Sequence, residues 1–443
     1  MLKTLLNKLP RTATAPFCPS EVNGTVIVPA RSSFWVKLFK FAGPGLLISV
    51  GYMDPGNWAT DIEAGSIYGY SLLFVILFSS LIAIFLQTLC LKLGIATRKD
   101  LARLCRDHYS PRVGRFLWVM AELAIIACDL AEVLGTALAF HLLFGLSILV
   151  GVLLTAFDTL IVLSLKGKGF RQVEAIVLGL IITIGLCFLI ELIMVQPDYV
   201  LAAKSLMPSL GVLANTHTLY LAIGILGATV MPHNLYLHSS IVQTRVVSNR
   251  IQDKREAIKF SRIDTIVSLS LAFFINAAIL ILAASAFHAN GHIGIANIED
   301  AYHLLEPIMG STIASILFGV ALLAAGQSST LTGTIAGQVI MEGFLNLKIP
   351  CWQRRLITRM LALIPALIGI MMWGDGAVGK LLVLSQVVLS LQLPFAIYPL
   401  LKLTSNKMLM GEFATGWISS MIAWSIFVLI ASLNAWLIVE FFK

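Results

Sequence analysis

The sequence predicts an all-α polytopic membrane protein: eleven spans, arranged as an inverted repeat of five plus five helices with one helix added. Three observations carry this prediction. Of 443 residues, 58% are hydrophobic and only 12% are charged, with a mean hydropathy of +0.90; that is more apolar surface than a water-soluble core can hide. The basic residues gather in alternate short loops. A polar tetrapeptide containing proline interrupts an apolar run twice, as Asp54-Pro55-Gly56-Asn57 and as Met231-Pro232-His233-Asn234.

Apolar stretches of membrane-crossing length fall at about 41–66, 70–95, 116–140, 143–165, 173–195, 219–243, 263–289, 308–340, 356–374, 380–401 and 416–439. Lys and Arg follow the even-numbered spans. Examples are Arg98, Lys99, Arg103 and Arg106 after the second, Lys166, Lys168 and Arg171 after the fourth, and Arg245, Arg250, Lys254 and Arg255 after the sixth. Lys348, Arg354 and Arg355 follow the eighth, and Lys402 and Lys407 the tenth. Loops after odd-numbered spans hold almost none, Lys204 and Lys380 excepted. Because basic residues stay on the cytoplasmic side, the N-terminus is expected inside and the C-terminus outside, in a multi-pass protein of the plasma (inner) membrane. Residues 1–40 read as a cytoplasmic tail, not a signal peptide. Residues 41–195 form the first half, 219–401 the second and 416–439 the added span.

The net charge of +8 would raise the question of nucleic acid in a soluble protein. Here it encodes topology, so the expected surroundings are a lipid bilayer and no nucleic acid. The six cysteines occur singly, without the spacing of a disulfide framework or a zinc site. No phosphate-binding GxxxxGK[ST] loop occurs, and neither a catalytic constellation nor a cofactor is expected.

The two tetrapeptides lie in spans 1 and 6, which cross the membrane in opposite directions. Pro55, Gly56 and Pro232 break their helices, and a break frees backbone groups that lipid cannot satisfy, so it survives where it lines a cavity or binds something. Paired breaks in an inverted repeat predict one shared site near the bilayer midplane. Asp54 offers a carboxylate, Asn57 an amide oxygen, Met231 a thioether and Ala228 a carbonyl. A thioether gains little from hard Ca²⁺ or Mg²⁺ and favours transition metals. In span 3, Glu122, Asp129 and Glu132 fall within an arc of about 80°, a stripe suited to a proton relay or a cation path. His233 and His238 lie at and beyond the second break, and a free imidazole titrates near neutral pH. Arg245, Arg354, Arg355 and Arg359 are expected to pair with the span 3 acids. Gln386, Asn276 and Gln327 are lone amides, which more often bond between helices than bind a ligand. His288, His292 and His303, with Glu299, Asp300 and Glu306, read as a solvated exterior loop.

The stretches Gly51-Tyr52-Met53-Asp54-Pro55-Gly56-Asn57 and Gly227-Ala228-Thr229-Val230-Met231-Pro232-His233-Asn234-Leu235-Tyr236-Leu237-His238-Ser239 resemble motifs of the Nramp family of proton-coupled divalent-metal transporters. Residues 326–342, the run Arg354-Arg355-Leu356-Ile357-Thr358-Arg359 and the run from Ser385 to Pro394 are similar to further signatures of that family. The resemblance implies a LeuT-like fold and import of Mn²⁺ or Fe²⁺ together with protons. It implies metal ligands at Asp54, Asn57, Met231 and the Ala228 carbonyl, with Gln386 joining in an occluded state and the Gly51 carbonyl a further ligand. It also implies a proton route through Asp54, His233, Asp129 and Glu132 toward Glu122, Arg245 and the arginines of span 9. Cys128 departs from the pattern, standing where several relatives carry Thr. The alternative is a sodium- or proton-coupled symporter of amino acids or other organic solutes with the same fold, although Asp54 would repel a substrate carboxylate.

Overall fold

The computed structural model describes residues 23–28, 32–157, 170–209, 211, 215–295, 297–346, 351–374, 376 and 378–441. The described chain is helical apart from turns and one isolated parallel bridge between Val26 and Arg245. The first half contains α1 (Phe34–Phe41), α2 (Pro44–Val50), α3 (Pro55–Tyr68), α4 (Leu73–Thr97), α5 (Leu101–His108), α6 (Pro111–Phe144), α7 (Ile148–Thr155) and α8 (Phe170–Val195). After α9 (Tyr199–Lys204) come α10 (Thr216–Val230), α11 (Pro232–Ile241), α12 (Ile251–Ala286), α13 (Ile298–Met309), α14 (Thr312–Leu345), α15 (Cys351–Trp373) and α16 (Val378–Thr404). The short α17 (Lys407–Met410) leads to α18 (Trp417–Phe441).

Among the described residues, eight helices are long and apolar enough to cross a membrane, or nine if the pair bent by 41° at Ala42–Gly43 is one span. The expected eleven is therefore not reproduced, and the reasons are local. Residues Pro55–Thr97 count as one apolar run, yet Gln87 donates from Nε2 to the Tyr52 hydroxyl at 2.9 Å. A straight helix would hold these residues about 50 Å apart. The chain therefore reverses at the 3₁₀ turn Gly69–Leu72, where Gly69 takes φ 57°. Of the fourth span only α7 is described, since 158–169 lie outside the described residues. In the ninth, the apolar run is limited to Leu363–Met372.

Both proline breaks form. The first helix passes from α2 through a 3₁₀ turn at Gly51–Met53 to extended Asp54 (φ −71°, ψ 164°), and α3 restarts at Pro55. Proline suits that first position, where no intrahelical partner for an N–H exists anyway. The second helix stops at Val230, and α11 restarts at Pro232. Between them Met231 holds φ 32° and ψ 105°. Proline bars its predecessor from helical geometry, and a positive φ in a side-chain-bearing residue costs about 1–3 kcal/mol, sustained only where the surroundings enforce it. The broken helices are embedded. α12 packs on α2, α3 and α4, α10 on α3 and α16, and α6 on α14 and α16.

Candidate functional site

The two breaks meet. Asp54 caps α3, its Oδ1 accepting from the Asn57 backbone N–H at 3.1 Å and from the Asn57 side-chain amide. That same amide nitrogen donates to the Ala228 carbonyl at 3.1 Å, so one side chain spans from the first break to the second. Asn276 of α12 donates from Nδ2 to the Tyr52 carbonyl at 2.8 Å and to Asn57 Oδ1 at 3.4 Å. Asn234 donates to the Ile48 carbonyl at 3.5 Å and to the Met231 sulfur at 3.8 Å. Asp54, Asn57, Ala228, Met231 and Gln386 are all buried.

Close packing brings Gln386 of α16 to the first break. A Cβ on Gly56 would collide with the Gln386 amide, and one on Gly227 would strike the backbone of α16 at Gln386 and Ser390. Gly51 similarly faces the Asn234 amide. Four buried oxygens here lack a hydrogen-bond partner: Asp54 Oδ2, Gln386 Oε1, Asn234 Oδ1 and Asn276 Oδ1. Buried acceptors are normally satisfied, so this surplus of lone pairs suits an electropositive guest. Among the described residues no group of three His, Cys, Asp or Glu side chains could hold a metal. The donor set here is instead one carboxylate, amides, a carbonyl and a thioether.

The acids of α6 are buried inward, as the stripe predicted. Glu132 and Asp129 face α14 at Gly333, where a Cβ would lie 2.6 Å from Glu132 Oε1 and 3.2 Å from Asp129 Oδ1. Both Glu122 oxygens are buried without a partner. Cys128 lies between two candidates, its sulfur 3.6 Å from His233 Nε2 and 3.5 Å from Glu132 Oε1. His238 turns elsewhere: its ring meets Gln87 Oε1 at 2.9 Å and the Thr265 hydroxyl at 3.5 Å.

Arg245 is not paired with the α6 acids as expected. Its Nη1 bonds Glu174 Oε1 at 2.6 Å, while Nη2 and Nε donate to the carbonyls of Ala42 and Lys40 at 2.6 and 3.2 Å. Arg171 grips the same hinge through Glu174 Oε2 at 2.9 Å and the Phe39 carbonyl at 2.8 Å. Asp264 of α12 accepts from the N–H groups of Gly43 at 3.2 Å and Gly45 at 2.7 Å. The reason is geometric, since helical spacing orders groups on one helix and is silent about distant segments. The side chains of Arg354, Arg355 and Arg359 lie outside the described residues.

Sequence reasoning missed Glu174, Asp264 and Asp61; Asn276 forms interhelical hydrogen bonds, the role expected of a lone amide. Asp61 is buried two turns beyond Asp54, with Oδ2 unpartnered. Each is an acid inside a membrane-length helix, and the rule that singled out Asp54 would have found all three. Asn276 carried no such signal.

Residues 45–440 match the profile described as natural resistance-associated macrophage protein-like, Nramp. The chain is 66% identical over 433 residues to a protein of Ralstonia nicotianae named divalent metal cation transporter MntH, covering 98% of both chains. It is 64% identical over 435 residues to MntH 1 of Pseudomonas aeruginosa, covering 98% of this chain and 99% of the relative. Among solved structures, the Eremococcus coleocola manganese transporter, in complex with an aromatic bis-isothiourea substituted compound, superposes with a TM-score of 0.88 at 40% identity, covering 94% of this chain and 89% of that one. The nucleobase-cation-symport-1 family transporter Mhp1 superposes with a TM-score of 0.61 at 12% identity, covering 96% and 95%, a likeness of fold alone.

Proposed function

The chain belongs to the Nramp family of membrane transporters, and from that premise we propose that it carries divalent transition-metal ions, Mn²⁺ and Fe²⁺, into the cytoplasm by proton-coupled alternating access. The observation that carries the reading is the Asn57 bridge. The amide nitrogen of Asn57 donates to both Asp54 Oδ1 and the Ala228 carbonyl, the position a cation bonded to those two oxygens would take. A rotation of that amide would turn its own oxygen inward as a third ligand. Met231 sulfur and Gln386 Oε1 complete a mixed soft and hard set that prefers Mn²⁺ or Fe²⁺ to Ca²⁺.

The cargo enters from the side opposite the basic loops and sheds water against Asp54, Asn57, Met231 and the Ala228 carbonyl. Gln386 closes on it across Gly56. Inward release requires α2 to leave α12, which breaks the grip of Asp264 and Arg245 on the hinge at Ala42–Gly43. An inside-negative potential of 100 mV favours inward movement of a divalent ion by about 4.6 kcal/mol, twice the value for one charge. Protons leave Asp54 on metal binding, because the metal favours the charged carboxylate. They pass through His233, Cys128 and Glu132 toward Asp129 and Glu122.

Purified protein in proteoliposomes tests this reading. Saturable Mn²⁺ uptake that competes with Fe²⁺, is stimulated by an inward proton gradient and is lost in Asp54→Ala is the expected result; absence of uptake under an inside-negative potential overturns it.

A further inference from the structure

We infer that the segment Asn23–Val28 is a strap that holds the cytoplasmic gate shut, so that peeling it away is a step in opening toward the basic-loop side. Three backbone hydrogen bonds fasten it to the chain after α11: Gly24 N–H to the Gln243 carbonyl at 3.0 Å, Val26 N–H to the Thr244 carbonyl at 2.9 Å, and Val246 N–H to the Val26 carbonyl at 2.9 Å. They make the parallel bridge of Val26 with Arg245. Val26 is 6% exposed, and Val28 packs on a cluster that joins Phe41 of α1, Leu91 and Ile95 of α4, Val242, and Ala257 and Phe260 of α12.

The residue on the far side of this bridge gives the strap its leverage. Arg245 also holds the hinge carbonyls Lys40 and Ala42 and the Glu174 carboxylate. The backbone at 243–246 is thus clamped between the strap and the hinge of the first broken helix. α1 adds a second tie, Lys37 to Glu256 at 2.6 Å. A cavity of about 380 Å³, lined by Gly24, Gly94, Arg98, Gln243 and Val247 among others, opens beside the strap. Water can enter there and take over the strap's hydrogen bonds as they break, which makes the contact reversible.

The inference rests on the alternating-access reading, and its test separates the two. Ser49 of α2 is fully buried and bonds only to its own helix at the Leu46 carbonyl. Ser49→Cys in a full-length chain carrying Cys18→Ser and Cys351→Ser reports inward opening through alkylation by a membrane-impermeant maleimide in inside-out vesicles. Gly24→Pro with Val26→Pro removes two of the strap's donors, and Val26→Asp unseats its buried side chain as an independent second variant. Net hydrogen-bond energies translate to an alkylation rate about tenfold faster in either variant. Equal rates with and without the strap substitutions overturn the strap. Labelling in none of the chains, even with Mn²⁺ present, overturns inward opening of α2 itself.

Discussion

The side-chain amide of Asn57 donates to the carbonyl oxygen of Ala228 at 3.1 Å, joining two broken helices across 171 residues of chain. The first break alone is a proline kink capped by Asp54, and the second restarts at Pro232 without a side-chain cap. Together they bring two oxygens, Asp54 Oδ1 and the Ala228 carbonyl, onto one nitrogen, the place proposed for the cation. Asn57→Ala removes both the bridge and one ligand. Mn²⁺ affinity is expected to fall about 10–100-fold, the loss typical of a disturbed metal shell, with the fold intact. Isothermal titration of the detergent-solubilised protein measures it, and unchanged affinity excludes Asn57 from the site.

Met231 addresses selectivity. A non-glycine residue at φ 32° between two helices is held there by its neighbours, and its sulfur lies 3.8 Å from the Asn234 amide inside the break. Met231→Ala keeps the oxygen ligands and deletes the soft one. Ca²⁺ should compete with Mn²⁺ at least about tenfold better than it does in the parent. Uptake of radioactive Mn²⁺ against a Ca²⁺ series decides the matter, and an unaltered inhibition constant leaves the thioether without a selective role.

Gly56 sets how near α16 can come. Any side chain there meets the Gln386 amide, so Gly56→Ala is expected to keep α16 at a distance and stop Gln386 from closing on the cargo. Overpacking of this kind costs about 1–3 kcal/mol, and the turnover rate should fall about tenfold or more. Gln386→Ala in the same chain relieves the clash. Recovery of thermal stability without recovery of turnover is the expected pattern.

The pattern of what could be read in advance has a physical cause. Asp54, Pro55 and Pro232 announce themselves because a carboxylate and a missing N–H are costly wherever lipid surrounds a helix, whatever the rest of the chain does. The α6 acids follow from the 3.6-residue period alone. Arg245 was legible as a cation in need of an acid but not in its partner. Glu174 lies 71 positions away in sequence, and only the packed bundle brings the two together. Asn276 was legible only as a lone amide, since a single amide in an apolar helix looks the same whether it bonds a neighbouring helix or holds a ligand. The division placed between the first two spans, 41–66 and 70–95, falls where the chain reverses at the 3₁₀ turn Gly69–Leu72.

Arg245 and Glu174 are a buried pair, and their removal should be asymmetric. Arg245→Ala leaves Glu174 facing Arg171 alone and frees the hinge carbonyls of Lys40 and Ala42. Breaking a buried pair by truncating one partner costs about 3–5 kcal/mol, whereas replacing both with apolar groups costs far less. Arg245→Met with Glu174→Leu should therefore melt at a higher temperature than Arg245→Ala, while both chains open inward more readily than the parent. Differential scanning fluorimetry gives the first comparison and alkylation of Ser49→Cys the second. A double variant that melts below the single one would show that the pair's attraction exceeds its desolvation cost.

Cys128 stands between a histidine and an acid, and that position makes the thiol consequential. The thiol lies 3.6 Å from His233 Nε2 and 3.5 Å from Glu132 Oε1, so it fills the interval between a ring beside the metal site and the carboxylates of α6. A hydroxyl placed there by Cys128→Ser can still accept and donate. The methyl group of Cys128→Ala can do neither. Cys128→Ala should thus uncouple the two fluxes, keeping Mn²⁺ uptake within about threefold of the parent while the accompanying acidification falls to a small fraction. Cys128→Ser should keep both. Parallel records of Mn²⁺ and a pH-sensitive dye in the same vesicles measure the ratio directly, and a ratio unchanged in Cys128→Ala takes the thiol out of the proton path.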